Sequence, residues 1–584
     1  MRMISRYYYR FVKSRRAKIF LTVFLVGVLF LGFMLVRKRD TLRQNPRAYT
    51  IYSSLRQISD IMYLPYFFKK DEIPTFELEI DLAKIKEMDE RIAKNSGHVV
   101  SDDKIFAPAK FRYAGKSYNV EVRYRGDEAL HWEYPQKSYL IDFKNSDQFM
   151  GQTRINFILV DDRKFALEQF HNWRAGKLGL LHPDSGFANL IINGENHGLY
   201  FMIDGWSPQT LAKWGAPSNS NFYSVNVMDL PGYVEGVTSF GMWDNLYAWH
   251  HVVRDDRYGY EDFSDLEALI KLLHNSSDQF FFANIFKLVD KDNFYGWQIH
   301  QELMNSIHQN VDNTRLFFDA LKGKFMFVPW NVSSNPPERD NSDIYGVVAG
   351  RIFRNPEFLH EKNKKLYGYV SKEENLTEDL AAYDHIYESM KVSLYKDRMK
   401  LVTNHYADKM YQQYRSEIIA NFDRLRSRYE NEGIILANFH VTNNDSMRFA
   451  SEFVLGAVDI EVEGNPDFEL QELTTELADK NVFKGFELRY DSNDNGELDS
   501  ADSSQFQNVI IYTNRLKPDD IYSAMKKTLT RHRFFLVSQQ ISSTQFASKF
   551  RDFKILLNSG ITGEKIKDTK VSKRIINEEA FRSQ

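Results

Sequence analysis

Residues Ile19–Val36 read IFLTVFLVGVLFLGFMLV, an 18-residue run with no charged side chain. As a helix it would extend about 27 Å, close to the thickness of a bilayer hydrocarbon core. A cleavable leader would end in small residues, but here the run passes from Phe33-Met34-Leu35-Val36 directly into Arg37-Lys38-Arg39. An uncleaved anchor is therefore expected. Arg2, Arg6, Arg10, Lys13, Arg15, Arg16 and Lys18 precede it, and Arg37, Lys38, Arg39, Arg43 and Arg47 follow. The heavier basic cluster in front predicts a cytoplasmic N-terminus and an extracytoplasmic bulk, a single-pass arrangement. The alternative, a buried helix of a soluble domain, fits poorly with cationic clusters at both ends.

The rest of the chain is long enough for two or three cores: 584 residues, 43% of them hydrophobic. With 76 basic against 79 acidic residues it lacks the electrostatic footprint of a nucleic-acid binder, so no nucleic-acid partner is expected. The absence of cysteine excludes disulfides, thiolate nucleophiles and Cys-ligated zinc. Aromatic residues make up 15% of the chain, which points first to packed cores and second to sugar-stacking surfaces.

Periodicity divides the chain. A basic tail (1–18), the anchor (19–36) and a polar linker (37–72) precede TFELEI, whose alternating Phe76, Leu78 and Ile80 predict a strand. Further strands are expected over 105–113, 117–124 and 138–143, making a small antiparallel unit. In DDRKFALEQFHNWRAGKLG, Asp161 or Asp162 can cap a helix carrying Ala166, Leu167, Phe170 and Trp173. Asn193-Gly194 predicts a hairpin between 187–192 and 198–203, its loop continuing through Glu195, Asn196 and His197. Helices are expected over 262–274 and 278–302, and strands in NTRLFFD and KFMFVPW. The stretch FGMWDNLYAWHH (240–251) reads as core packing in preference to an aromatic platform. A helical divider (376–430) then leads to a β-rich domain (431–584). His197, His250, His251 and His308 show no metal-ligand spacing.

Two constellations carry chemistry. Gly115-Lys116-Ser117 lacks the upstream glycine of a P-loop, position 110 being Lys, and neither GxSxG nor HExxH occurs. The run DSNDNGELDSAD, by contrast, sets Asp491, Asn493, Asn495, Asp499 and Asp502 at positions 1, 3, 5, 9 and 12 of a loop, with Gly496 at 6 and Leu498 at 8. That spacing suits the six-to-eight oxygen shell of Ca²⁺. It resembles EF-hand-like and dockerin-type loops, with Asp in place of Glu at the twelfth position and a strand in front. The alternative is a metal-free acidic turn. The filled ligand positions predict a structural ion.

The second constellation is dispersed: VRYRG (122–126), KSYLIDF (137–143), the DDRKF helix, LIINGENHGLYFMID (190–204) and DNTRLFFDALKGKFMFVPWN (312–331). In this order, over about 73–335, these blocks resemble the CotH (spore-coat protein H) kinase-like family. The resemblance implies an α+β fold: an atypical protein-kinase-like domain (73–375), preceded here by one N-terminal transmembrane helix and followed by the β-rich domain with its calcium loop. It further implies ATP with Mg²⁺ or Mn²⁺ as cofactor and phosphorylation of envelope or coat proteins.

By resemblance, Lys137, with Arg123 or Arg125 near it, would contact phosphates, and Asp204 would pair a lysine or meet the nucleotide. Asp312, Asn313 and Asn331 would be the catalytic and metal-facing positions. The sequence departs from the family where PWD becomes Pro329-Trp330-Asn331, with Ser333 in place of a further acid. A neutral amide binds a divalent ion more weakly than a carboxylate unless Asp312 or Asp319 compensates. Two functions follow: an anchored, extracytoplasmic kinase, or a catalytically lapsed pseudokinase-like scaffold in envelope or surface-polysaccharide assembly. A third reading makes the aromatic stretch and the C-terminal domain a carbohydrate-binding device.

Overall fold

The computed structural model describes residues 60–93, 104–126, 128–216, 220–225, 241–243, 246–253, 262–306, 313–338, 346–430, 434–463, 467–478, 481–492, 495–500, 502, 510–512, 530–566 and 569–575, with eight residues between 19 and 34. Those eight, Phe24 and Phe30 among them, are helical and exposed, and the rest of the apolar run lies outside the described residues. No helix among the described residues is long and apolar enough to cross a membrane.

The chain forms two compact units, each discontinuous in sequence. The first comprises 1–173, 183–218 and 381–415. Its centre is a closed barrel. Strand β1 (Thr75–Ile80) alternates as expected, with Phe76, Leu78 and Ile80 inward, and leads into helix α1 (Leu82–Ala93). Strands β2 (Ala107–Tyr113), β3 (Lys116–Tyr124), β4 (Tyr139–Phe143) and β5 (Arg154–Leu159) follow. Helix α2 (Leu167–Lys177), strands β6 (Ser185–Ile192) and β7 (Glu195–Asp204), and the short helix α3 (Pro208–Lys213) complete the series. The order β1-β2-β3-β4-β5-β7-β6 closes because β6 pairs in parallel with β1, Phe76 opposite Leu190. The expected antiparallel unit and the expected hairpin are thus one barrel. Phe76, Phe111, Phe143, Phe149 and Phe157 fill it with offset and edge-on rings.

Two local expectations change. The hairpin loop ends at two residues: Asn193 and Gly194 both have positive φ (50° and 84°), and β7 begins at Glu195. That is the type I′ turn favoured by strand twist. Neither Asp161 nor Asp162 caps α2, which starts at Leu167 after a turn in which Lys164 and Phe165 are both left-handed (φ 53° and 61°).

The second unit comprises 174–182, 219–380 and 416–584. Strands β8 (Asn221–Val225), β9 (Trp249–Val253), β10 (Arg315–Asp319) and β11 (Lys324–Phe327) form a sheet ordered β11-β10-β8-β9. Helices α4 (Ser264–Asn275), α5 (Asp278–Leu288), α6 (Lys291–Glu302), α7 (Val347–Ile352) and α8 (Pro356–Val370) belong to the same unit. The expected 278–302 helix breaks at Val289-Asp290, because the Asp290 carboxylate accepts from Asn293 N (3.0 Å) and starts a new helix. Met242, Trp243, Ala248 and Trp249 are core residues, so the rings of Trp243 and Trp249 offer no stacking face.

The divider consists of two long helices, α9 (Glu373–Lys396) and α10 (Asn404–Glu430). Beyond them β12 (Ile434–Val441), β13 (Arg448–Phe449), β14 (Glu452–Glu463), β15 (Phe468–Leu477), β16 (Val482–Phe483), β17 (Glu487–Tyr490), β18 (Ile510–Ile511), β19 (Thr530–Ser538), α11 (Ser543–Lys549), β20 (Phe550–Ser559) and β21 (Thr569–Ile575) make two sheets. Phe439, Ile460 and Phe534 of one sheet and Phe468, Leu470 and Leu557 of the other share a core, a β-sandwich.

Candidate functional site

The barrel fixes the residues of the VRYRG and KSY blocks. Along β3, Val122 and Tyr124 point inward, so Arg123 faces outward and lies over the Phe106 ring at 5.2 Å. Arg125 N donates to Ser138 O, which joins the two blocks side by side. Gly126 follows with φ 91°, and a Cβ there would fall 2.1 Å from the His131 ring, so the glycine permits a close approach.

Lys137 does not stand as a lone strand cation. Its Nζ is 2.5 Å from Asp89 Oδ1 of α1 and 4.8 Å from the centre of the Tyr124 ring. Asp89 also accepts from the Tyr124 hydroxyl at 2.8 Å. Burial, the Tyr139 hydroxyl and the Asp89 charge push the Tyr124 phenol far above its ordinary value, keeping it a neutral donor. Asp89 is a site residue that sequence reasoning missed. Only the burial of Met88 and Ile92 on the same helix shows which face of α1 meets the barrel.

Asp204 ends β7 and pairs with Lys213 of α3 at 2.7 Å, and Lys213 also meets Asp184 at 2.7 Å. Burial raises the Asp204 carboxyl to about 6, against the opposing pull of Lys213. Between its ordinary value and 6 the folded chain holds a proton that the unfolded chain has lost, so this group's contribution to stability falls as pH rises through that window and is level above it. Asp204→Asn is therefore expected to raise stability at pH 7.5 by about 1–3 kcal/mol and to flatten the response between pH 4 and 6, as read by urea unfolding. A loss above about 1 kcal/mol at pH 7.5 would mean that the Lys213 pairing outweighs the burial cost.

Beside the DDRKF turn the first unit holds a cavity of about 380 Å³, lined by Glu128, Glu133, Asp161, Asp162, Lys164 and Tyr406 among others. Burial alone would raise the Asp162 carboxyl, but Arg163, His131, Arg125 and Lys164 together hold it below the usual carboxylate range. His131 Nδ1 lies 2.9 Å from Ser138 Oγ, and its Nε2 lies 3.8 Å from Asp162 Oδ1. The order Asp-His-Ser suggests a hydrolytic triad, yet Ser138 is fully buried and its Oγ accepts from Leu159 N at 3.2 Å. No substrate carbonyl reaches such an oxygen, so the group is structural. The lining carries more carboxylate than ammonium and suits cations better than bare phosphates.

In the second unit Asn313 and Asn331 are brought together: Asn331 Nδ2 points at Asn313 Oδ1 at 3.4 Å, and Asn331 is left-handed (φ 53°). Ser333 Oγ meets Ser306 Oγ at 3.1 Å. Asp312 lies outside the described residues. Asp319 sits at the other end of the β10–β11 hairpin, accepting from Leu321 N at 3.0 Å, while Arg315 pairs next to Val328 near Asn331. Four strand steps, about 13 Å, separate the two ends, so Asp319 does not compensate for Asn331.

The acidic loop follows β17, a strand as expected. Asp491 and Asp502 are buried, Asn495 Nδ2 donates to Asp499 Oδ2 at 3.0 Å, and Asn493 lies outside the described residues. Among the described residues no three His, Cys, Asp or Glu side chains are gathered at metal-holding distance.

Comparison with known proteins adds two findings. The family model described as CotH kinase protein matches residues 122–433, which is more than half of the chain. The inner spore coat protein H of Bacillus subtilis (strain 168) is 23% identical over 271 residues, covering 45% of this chain and 68% of that protein.

Proposed function

The chain belongs to the CotH kinase family, and from that premise we propose that it transfers the γ-phosphoryl group of ATP to a hydroxyl of an envelope or coat protein. It does so while held at a membrane by the 19–36 run, its bulk extracytoplasmic. The observation that carries this reading is that the matched region takes in Lys137, Asp204 and the 312–331 loop together.

Lys137 suits the phosphate-contacting role. Phosphotransferases steady such a lysine with a carboxylate so that its ammonium is aimed and charged. Here Asp89 supplies the carboxylate, from a helix laid on the barrel. Arg125, beside Ser138, adds a second cation near the same blocks. Asp312, with the amide oxygens of Asn313 and Asn331, would hold Mg²⁺ or Mn²⁺, whose chemistry is to neutralise phosphate charge as the β–γ bridging bond breaks. The acceptor oxygen bonds to phosphorus, ADP departs, and the acceptor proton passes to a carboxylate or to water.

A second reading, the lapsed scaffold, is favoured by one observation: Asn331 stands where the family's PWD places a carboxylate, and its neutral side chain meets the equally neutral Asn313. Nucleotide binding separates the first reading from an empty fold. The full-length chain in detergent is expected to show a metal-dependent rise in melting temperature with ATP, lost in Lys137→Ala. No shift with either metal would remove the nucleotide from the account.

A further inference from the structure

Residues Asp60–Phe68 form a 3₁₀ helix in the first unit, ahead of β1. With three residues per turn, every third side chain falls on one line. The line of Asp60, Tyr63 and Tyr66 is fastened to α9 and α10. The Asp60 carboxylate accepts from Asn404 N at 2.9 Å, and the Tyr63 hydroxyl donates to Asp408 at 2.7 Å. Both tyrosine rings meet Tyr395 edge-on, at 4.7 and 4.6 Å. Beyond the helix, Asp71 accepts from Ser393 Oγ at 2.6 Å and from Asn189 Nδ2 at 3.2 Å. The segment is therefore held to the fold at both ends.

The other two lines face outward. Ile61, Met62, Leu64 and Phe68 are 69, 83, 52 and 84% exposed, and no residue of the helix is buried. One exposed apolar side chain is ordinary, but four within eight residues, rigidly presented, mark a contact surface. Cations frame it. Lys69 and Lys70 follow at once, both exposed, with Lys69 Nζ 4.1 Å from the centre of the Tyr66 ring. Arg398 lies over the Phe67 ring at 5.1 Å, and Lys396 Nζ donates to Lys69 O at 2.5 Å. Against these four stand Glu72 and the carboxylates of Asp60 and Asp71, which are turned into the fold.

We propose that the 60–70 surface is a second membrane contact: Ile61, Met62, Leu64 and Phe68 enter the boundary between headgroups and acyl chains, while Lys69, Lys70 and Arg398 lie against anionic headgroups. Apolar side chains rimmed by cations are the chemistry of an interfacial segment. The proposal rests on the reading of the 19–36 run as an anchor. Only the 23 residues 37–59 separate that run from Asp60, so the surface stays within about 80 Å of the bilayer whatever their conformation. Arg37, Lys38, Arg39, Arg43 and Arg47 in that connection favour the same anionic surface. Tethering makes the second contact an intramolecular event, so a patch too small to recruit a free protein suffices to seat this one. Seated in this way, the barrel of the first unit presents one fixed side to the membrane.

The test uses the full-length chain in nanodiscs of phosphatidylcholine, alone or mixed with phosphatidylglycerol. No native cysteine competes for label, so Met62→Cys, Phe68→Cys and Leu82→Cys can each carry one environment-sensitive fluorophore. Leu82 is the control: it is 74% exposed but lies past the far end of β1, whose six residues extend about 17 Å. Doxyl-labelled lipid is expected to quench the labels at 62 and 68 about twofold or more beyond the label at 82, and most strongly in the anionic discs. Lys69→Glu/Lys70→Glu is expected to return the anionic discs to the neutral level. Quenching at 62 and 68 no greater than at 82 would overturn the proposal. So would labels shielded from aqueous iodide yet untouched by doxyl lipid, the result expected if a second copy of the chain covers the patch. A chain that fails to enter the discs would instead remove the anchor, and the second contact with it.

Discussion

Asp379→Ala is expected to cost the second unit about 3–5 kcal/mol of unfolding free energy. Asp379 and Arg174 are both fully buried, and the guanidinium meets the carboxylate through Nε (2.9 Å) and Nη2 (2.7 Å). Lys177 Nζ at 3.1 Å and the Tyr369 hydroxyl at 2.9 Å complete the set around the other oxygen. Desolvating two charges roughly cancels their attraction, so the pair itself adds little net stability. Removing one member is different, because Arg174 is then left charged in the interior. The double variant Arg174→Met/Asp379→Leu should recover more than half of the loss. Lys177 retains Glu378 at 3.0 Å in that background and stays paired. Urea unfolding of the three variants checks this; equal losses in the single and double variants would mean that packing, not charge, governs the site.

Gly198→Ala is expected to be nearly as damaging, about 3–5 kcal/mol, through a different cause. Gly198 lies in β7 at φ 86°, and a Cβ there would fall 2.1 Å from Asp397 Oδ1. Asp397 cannot retreat cheaply. Its Oδ2 accepts from Leu199 N (3.0 Å) and Gln136 Nε2 (3.2 Å), and its Oδ1 from Met399 N (2.7 Å) and Lys400 N (3.1 Å). One buried carboxylate thus ties the NGENHGLY hairpin to Gln136, just ahead of the KSY block, and to the turn after α9. In a double-mutant cycle, Asp397→Ala should already incur most of the loss, so Gly198→Ala added to it should cost far less than it does alone. Full additivity would show that the two residues do not act through this contact.

The sequence revealed what local pattern encodes. TFELEI alternates and does so in the barrel; Asn193-Gly194 turns a hairpin; NTRLFFD and KFMFVPW pair as β10 and β11. Blocks such as VRYRG and NGENHGLY were legible as a family resemblance, and the family is borne out. What stayed hidden is long-range. Nothing near Lys137 announces that a carboxylate 48 residues earlier holds its ammonium, and nothing near Gly198 announces Asp397. Barrel closure by the parallel β1–β6 pairing is of the same kind, since no local pattern links Phe76 to Leu190. The left-handed Lys164-Phe165 turn was missed because neither residue favours positive φ. The helical pattern of the segment suggested an earlier start for α2.

The most direct measurement is transfer of label from γ-labelled ATP, by the purified full-length chain, to the surface-protein fraction of its own cell, with Mg²⁺ and with Mn²⁺. The account predicts metal-dependent label on serine or threonine, reduced about 10²-fold or more in Lys137→Ala, in keeping with the loss of a group that meets transferring phosphate. No transfer by the native chain with either metal, together with transfer by Asn331→Asp, would contradict it and leave the chain a kinase-like scaffold whose metal site has lapsed.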